Sequence, residues 1–200
     1  MHKQEHTPQR SSNGDALLFA RNFFRHPRML GSIVPSSRFL IKQLLEPINF
    51  GRARVIVEYG PGVGGITTEL LRRMRTDGTL IAIETNPDFV RHLQETLSDK
   101  RLRVVEGSAV QVDEILRRLG LLHAEYIISG IPFSTIAAPV REQILRKTHD
   151  VLEPGGAFLV YQFSTRELQD LERVFGYVGR RFQPWNVLPA HLFICQPSTA

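Results

Sequence analysis

The stretch Val55-Ile-Val-Glu-Tyr-Gly-Pro-Gly-Val-Gly-Gly-Ile-Thr67 restricts this chain more than any other. A β-branched apolar run, Val55 to Val57, ends in an acid, Glu58, and Gly60, Gly62 and Gly64 then alternate with other residues. Ile66, Leu70, Leu71 and Met74 follow at helical spacing. Strand, glycine turn and helix in this order predict a parallel α/β sheet with a ligand at its carboxyl edge. Glycine lets backbone approach a ligand closely, and the free N–H groups of the new helix point to the same place. The plainer alternative is a tight strand-to-helix connection with no ligand. A second buried run, Leu80-Ile-Ala-Ile83, ends in Glu84, which lies 24 residues after Gly60. That is close to the spacing of about 20 at which an acid meets ribose hydroxyls. Asn86 and Pro87 read as the cap and first residue of the next helix.

Gly60, Gly62 and Gly65 also satisfy G-x-G-x-x-G, so the glycines alone leave a nicotinamide dinucleotide open. Glu58 argues the other way. A carboxylate at the strand end repels a pyrophosphate and suits a ligand with an α-amino group and a sulfonium. At these residues the sequence resembles the class I S-adenosylmethionine-dependent methyltransferases. Their first motif, acid-x-Gly-x-Gly-x-Gly, stands here as Glu58-Tyr59-Gly60-Pro61-Gly62-Val63-Gly64. The resemblance implies S-adenosyl-L-methionine as cofactor. It also implies an α/β fold: a three-layer Rossmann-like sheet of about seven strands, mostly parallel with an antiparallel C-terminal strand, plus N-terminal amphipathic helices. Cofactor contacts are implied at Glu58, Tyr59, Gly60, Gly62 and Gly64, at Glu84 and Thr85, at Gly107, Ser108 and Ala109, and at Ser129. Many class I enzymes carry at position 108 an aspartate that binds the adenine amino group; Ser108 retains the capacity to accept a hydrogen bond.

A narrower resemblance runs from about residue 18 along nearly the whole chain. It rests on an aromatic-basic stretch, Gly31-Ser-Ile-Val-Pro-Ser-Ser-Arg38, the glycine motif, Ile83-Glu-Thr-Asn-Pro87, Val104-Val-Glu-Gly107, Ser129-Gly-Ile-Pro132 and Asn186-x-Leu-x-Ala190. Together these resemble the bacterial phospholipid N-methyltransferases, which methylate phosphatidylethanolamine towards phosphatidylcholine. This likeness implies a phospholipid acceptor at an anionic membrane surface, a cytoplasmic protein peripherally associated with the inner face of the membrane, and no stable nucleic-acid partner. Ornithine-type lipids stay open as acceptors. The substrate side falls on Ser129, Gly130, Ile131, Pro132 and Phe133, after the fourth strand. The nearest rival is an RNA adenine N6-methyltransferase. Those enzymes carry Asn-Ile/Leu-Pro-Tyr or Phe there, and Gly130 offers no side chain in place of the asparagine. A third reading is a non-catalytic cofactor-binding protein that docks through its basic helix.

Charge adds a direction. Residues 1–54 hold nine Lys/Arg against three Asp/Glu, and the remainder sixteen against seventeen, so the excess of +5 lies before the glycine motif. That asymmetry suits an anionic partner, a membrane surface or a nucleic acid. Residues 1–13 read as a flexible tail, 14–50 as amphipathic helices that cover the site and dock on membrane, and 51–200 as the cofactor-binding domain. Phe23 with Arg25 and Arg28 lies on a stretch of helical spacing that suits a lipid interface, or simply covers the sheet. Ser36 or Ser37 caps the following helix, with Phe39, Leu40, Leu44 and Leu45 as its buried face, and Arg38 beside the cap suits a phosphate or carboxylate.

No apolar run approaches the roughly 20 residues of a membrane span, and no apolar signal sequence follows Met1. No histidine-carboxylate cluster has metal-ligand spacing, so no metal is expected. The single cysteine, Cys195, sits in an apolar run and reads as core. His123 and His191 are candidate bases by residue type alone. The runs Tyr177–Val187 and His191–Gln196, with no helix between them, predict a terminal hairpin.

Overall fold

The computed structural model describes residues 37–185 and 188–197. Phe23, Arg25, Arg28, Ser36 and Asn186 lie outside the described residues, and so do the predicted tail and first amphipathic helix.

Seven strands form one sheet in the order β3-β2-β1-β4-β5-β7-β6. They are β1 (Val55–Tyr59), β2 (Thr79–Glu84), β3 (Leu102–Glu106), β4 (Ala124–Ser129), β5 (Leu152–Gln162), β6 (Val178–Gln183) and β7 (Ala190–Cys195). β1 to β5 run parallel, and β7 runs antiparallel to both β5 and β6. The β6–β7 hairpin is the expected one. The strand order reverses between β1 and β4, the crevice where open α/β sheets bind ligands.

The sheet separates two apolar layers. On one face α1 (Arg38–Leu45) and α2 (Gly65–Arg73) bury Leu40, Leu44, Leu45, Ile66, Leu70 and Leu71 against Ile56, Leu80, Ile128 and Leu159. α3 (Pro87–Thr96) lies beside α2. On the other face α4 (Val112–Arg118), α5 (Ala138–Val151) and α6 (Leu168–Phe175) cover Val57, Ile81, Ile127, Phe158 and Phe193. Cys195 is fully buried in this second layer, as expected. The alternation along β1 sends Ile56 and Val57 to opposite layers, as the strand period requires.

Helix starts follow the sequence signals. The Ser37 hydroxyl accepts from Leu40 N–H at the head of α1, and Asn86 accepts from Asp88 N–H with Pro87 opening α3. Phe39 corrects one expectation: it is 49% exposed, and the Arg38 guanidinium lies 5.1 Å from its ring centroid. β5 begins earlier than the sequence suggests. Glu153-Pro-Gly-Gly156 reads as a turn, yet the strand runs from Leu152, with extra residues between the pairs Ala124↔Leu152 and Tyr126↔Ala157. A Cβ at Gly156 would stand 2.5 Å from Glu125 O, so only glycine fits where this bulge closes on β4.

Candidate functional site

The glycine turn joins β1 to α2 at the switch point. Gly60, Gly62 and Gly64 all have positive φ, at 67°, 55° and 81°. At Gly64 the demand is doubled, because a Cβ would also stand 2.7 Å from Leu93 Cδ2 of α3. Gly64 therefore serves the packing of α2 on α3. Gly60 and Gly62 instead line a cavity of about 310 Å³ together with Glu84, Thr85, Gly107, Ser108, Ala109, Ile131 and Pro132. That volume lies at the lower end of the range for small-molecule sites, about 300–1,000 Å³. Ile83, Phe89, Thr135, Ile136, Val140 and Ile144 complete an apolar wall that the sequence did not single out for the site. The described residues thus bring nine of the expected positions to one cavity.

Glu84 holds the turn from below. Its Oε2 accepts from Gly62 N–H at 3.2 Å, and its Oε1 from Asn86 N–H at 2.9 Å and from the Thr85 hydroxyl at 3.5 Å, which leaves further acceptor capacity on Oε2. Burial pushes its carboxyl above the usual range. Glu58 does not line the cavity. It is 1% exposed and accepts the Thr67 hydroxyl proton at 2.7 Å. Burial pushes Glu58 up to about 8, the Thr67 hydrogen bond opposes this, and the nearby Glu84 charge adds to it. Among the described residues neither acid forms an ion pair. Two buried carboxyls without a cation, beside a glycine cradle, fit a positively charged ligand such as a sulfonium amino acid nucleoside.

The remaining wall is the loop after β4. The Ser129 hydroxyl is buried and accepts from Ile131 N–H at 3.3 Å, so it shapes the loop. Gln162, at the end of β5 and 4% exposed, clamps it from the other side. Its Oε1 accepts from Phe133 N–H at 3.1 Å and its Nε2 donates to Ile131 O at 2.8 Å. Arg141 of α5 donates to Phe133 O and Ile136 O while paired to Asp170 of α6 at 2.7 Å. Gln162 and Arg141 had no sequence signal, since each meets the loop through tertiary contacts. Phe133 is fully buried in the core and is not a wall residue. Gly130 is glycine for a steric reason: a Cβ there would stand 3.1 Å from Gly60 O and 3.2 Å from the Tyr161 hydroxyl.

Other positions fall away from the cavity. The Tyr59 side chain points into the core, its hydroxyl 3.1 Å from Thr148 Oγ1, and only its main chain faces the crevice, where Tyr59 O accepts from Gly130 N–H. Ser108 lines the cavity while its hydroxyl accepts from Val110 N–H, and Gln111 Oε1 accepts from Ser108 N–H, closing a capping box. His123 is exposed just before β4, at the opposite rim of the sheet, and is removed from the candidate bases. His191 pairs with Gln162 across the strands, its ring 5.1 Å from that of Phe182. Ser37 donates to Trp185 O at 2.8 Å, tying the start of α1 to the segment after β6.

Comparison with known proteins agrees with this geometry. Residues 26–167 match the family described as ribosomal RNA adenine dimethylase. The chain is 33% identical over 190 residues to an ornithine lipid N-methyltransferase from Singulisphaera acidiphila, covering 91% of this chain and 96% of that protein. It is 27% identical over 123 residues to ribosomal RNA small subunit methyltransferase A from Aromatoleum aromaticum, a match spanning 62% of this chain but 34% of that protein. Among solved structures, human methyltransferase-like protein 13 in complex with SAH superposes with a TM-score of 0.60 at 16% identity, over 87% of this chain and 82% of that one. A precorrin-6y C5,15-methyltransferase from Geobacter metallireducens gives 0.61 at 15% identity, over 80% and 88%. These structures share the Rossmann-like fold.

Proposed function

The chain belongs to the ribosomal RNA adenine dimethylase family of methyltransferases, and from that premise we propose that it methylates the headgroup amine of a membrane lipid, phosphatidylethanolamine or an ornithine lipid. It is a methyltransferase, and its cofactor is S-adenosylmethionine. When bound, the cofactor supplies an electrophilic methyl on a sulfonium. The protein's part is to hold that cation, align the acceptor and exclude water. Gly60 and Gly62 would allow main-chain approach, Glu84 would accept from a ribose hydroxyl through Oε2, and Thr85, Ser108 and Ala109 of the same cavity would hold the nucleoside. Glu58, held neutral by burial up to about pH 8 in the cofactor-free protein, stands behind the turn and would take up its charge only beside a bound cation. Ile131 and Pro132, in the loop fixed by Gln162, wall the acceptor side.

The observation that carries the lipid reading is the likeness to a lipid N-methyltransferase over nearly the full length of both chains. Two structural features support it. Position 130 carries no amide to receive an adenine amino group, and a Cβ there would be in tight contact, 3.1 Å from Gly60 O. The carboxyl rim of the sheet also exposes Phe39, Phe182, Trp185 and Leu188, beside Arg38 and Arg181, a composition that suits a lipid interface. Among the described residues no helix is long and apolar enough to cross a membrane. Work at the membrane surface belongs to the same proposal, since a lipid headgroup is its acceptor.

The RNA reading draws on the family match and on the ribosomal RNA methyltransferases. One experiment separates the two. Purified protein is incubated with labelled S-adenosylmethionine and either anionic vesicles containing phosphatidylethanolamine, vesicles containing ornithine lipid, or ribosomal RNA. Label is expected in lipid. Label recovered only in RNA overturns the proposal.

A further inference from the structure

Trp185 follows β6 at the carboxyl rim, and its main chain is pinned there. Gln183, buried at the end of β6, accepts from Trp185 N–H through Oε1 at 2.9 Å. Its Nε2 donates to Gln43 Oε1 at 3.0 Å and to Phe39 O at 3.5 Å, both on α1. The Ser37 hydroxyl holds Trp185 O from the head of α1. Both polar main-chain groups of Trp185 are thus engaged, yet the residue is 75% exposed. A pinned main chain keeps this segment from folding inward, so the protein holds its single tryptophan outward. Phe39, Phe182 and Leu188 are exposed around it, with Arg38 beside Phe39. Four of the eight large apolar side chains exposed among the described residues therefore share one corner of the rim, and a fifth, Val140, lines the cavity. Scattered apolar residues need no partner, but a set gathered around a tryptophan does.

We propose that this corner is a preformed membrane anchor: Trp185 enters the headgroup layer of an anionic bilayer, with Phe39, Phe182 and Leu188 seated beside it and Arg38 against lipid phosphate. The inference rests on the reading that the acceptor is a membrane lipid, and it adds a contact built into the folded domain itself. Three features select a bilayer as the partner. An indole, apolar in body and polar at its N–H, suits the boundary between water and acyl chains. Arg38 and the basic excess before residue 55 match an anionic surface. The anchor and the cavity also share one rim, since β6 lies three strands beyond β4, about 15 Å along the sheet. Seating that corner turns the cavity towards the headgroups, where the acceptor amine stands.

Because the sequence holds one tryptophan, its fluorescence reports on this corner alone. The full wild-type chain is mixed with vesicles of phosphatidylglycerol and either phosphatidylethanolamine or ornithine lipid, with methylation followed in parallel. The emission is expected to shift to the blue, and lipids brominated near the headgroup end of their acyl chains should quench it. Trp185→Ala is expected to raise the KM for vesicle lipid about tenfold, the loss of one aromatic anchor, while kcat and S-adenosylhomocysteine affinity hold. The wild-type measurement needs no variant, so a misfolded Trp185→Ala leaves the test intact. Emission that stays unmoved on vesicles whose lipid is methylated overturns the anchor and leaves the lipid reading in place. Unmoved emission with no lipid methylated overturns both. A blue shift that appears with a protein partner and not with vesicles makes the corner a protein interface and overturns the anchor.

Discussion

Burial keeps the Glu58 carboxyl protonated up to about pH 8, with the Thr67 hydroxyl as its hydrogen-bond partner. Its folded pKa is raised above the ordinary value of 4.5. The contribution to stability is therefore full below that value and is lost as pH rises through about 8. Glu84 shifts the same way. The cofactor-free protein is expected to melt at lower temperature as pH rises across this window, and Glu58→Gln should remove part of that fall. A cation beside Glu58 reverses the sign. Cofactor binding then releases a proton, so S-adenosylmethionine affinity should rise with pH over the same window, with a flatter profile in Glu58→Gln. Calorimetric titration in buffers of different ionisation enthalpy measures both. An affinity independent of pH in wild type would separate Glu58 from the ligand. At this scale the sequence told which residues carry charge and which lack a side chain. It could not tell that Tyr161 fills the space above Gly130, because that depends on the register of β4 against β5.

Among the elements, α2 matters most to the site, since its first turn follows the glycines. Its C-terminal end is held by Arg101, which donates to Leu71 O, Met74 O and Arg75 O while paired to Asp99 at 2.6 Å. These carbonyls have no helical partner, and a guanidinium there also meets the negative end of the helix dipole. Arg101→Ala is expected to lower unfolding free energy by about 2 kcal/mol in urea denaturation, with Arg101→Lys recovering only part because ammonium lacks the fork. The strands and most helices were legible, because apolar runs and 3.6-residue spacing survive in the sequence. The early start of β5 was not, since Pro154 and Gly155 carry turn chemistry inside a bulge that only the neighbouring strand explains. Neither was the 3-10 turn Phe133–Thr135, which Gln162 and Arg141 hold from β5 and α5.

For the whole molecule, the basic excess before residue 55 and the aromatic rim at the carboxyl edge belong to the same proposed event, arrival at an anionic surface. Replacing Phe23, Arg25 and Arg28 with alanine should weaken co-sedimentation with anionic vesicles several-fold and make it less sensitive to salt, while S-adenosylhomocysteine affinity stays within about twofold. Unchanged co-sedimentation would remove the N-terminal segment from the membrane role. The antiparallel course of β7 has a practical consequence of its own. Because His191 pairs with Gln162 and Cys195 with Phe158, the last strand carries the chain from the working rim back to the far side of the sheet. A fluorescent reporter or immobilising tether attached beyond that strand would leave the mouth of the catalyst facing outward and free to land.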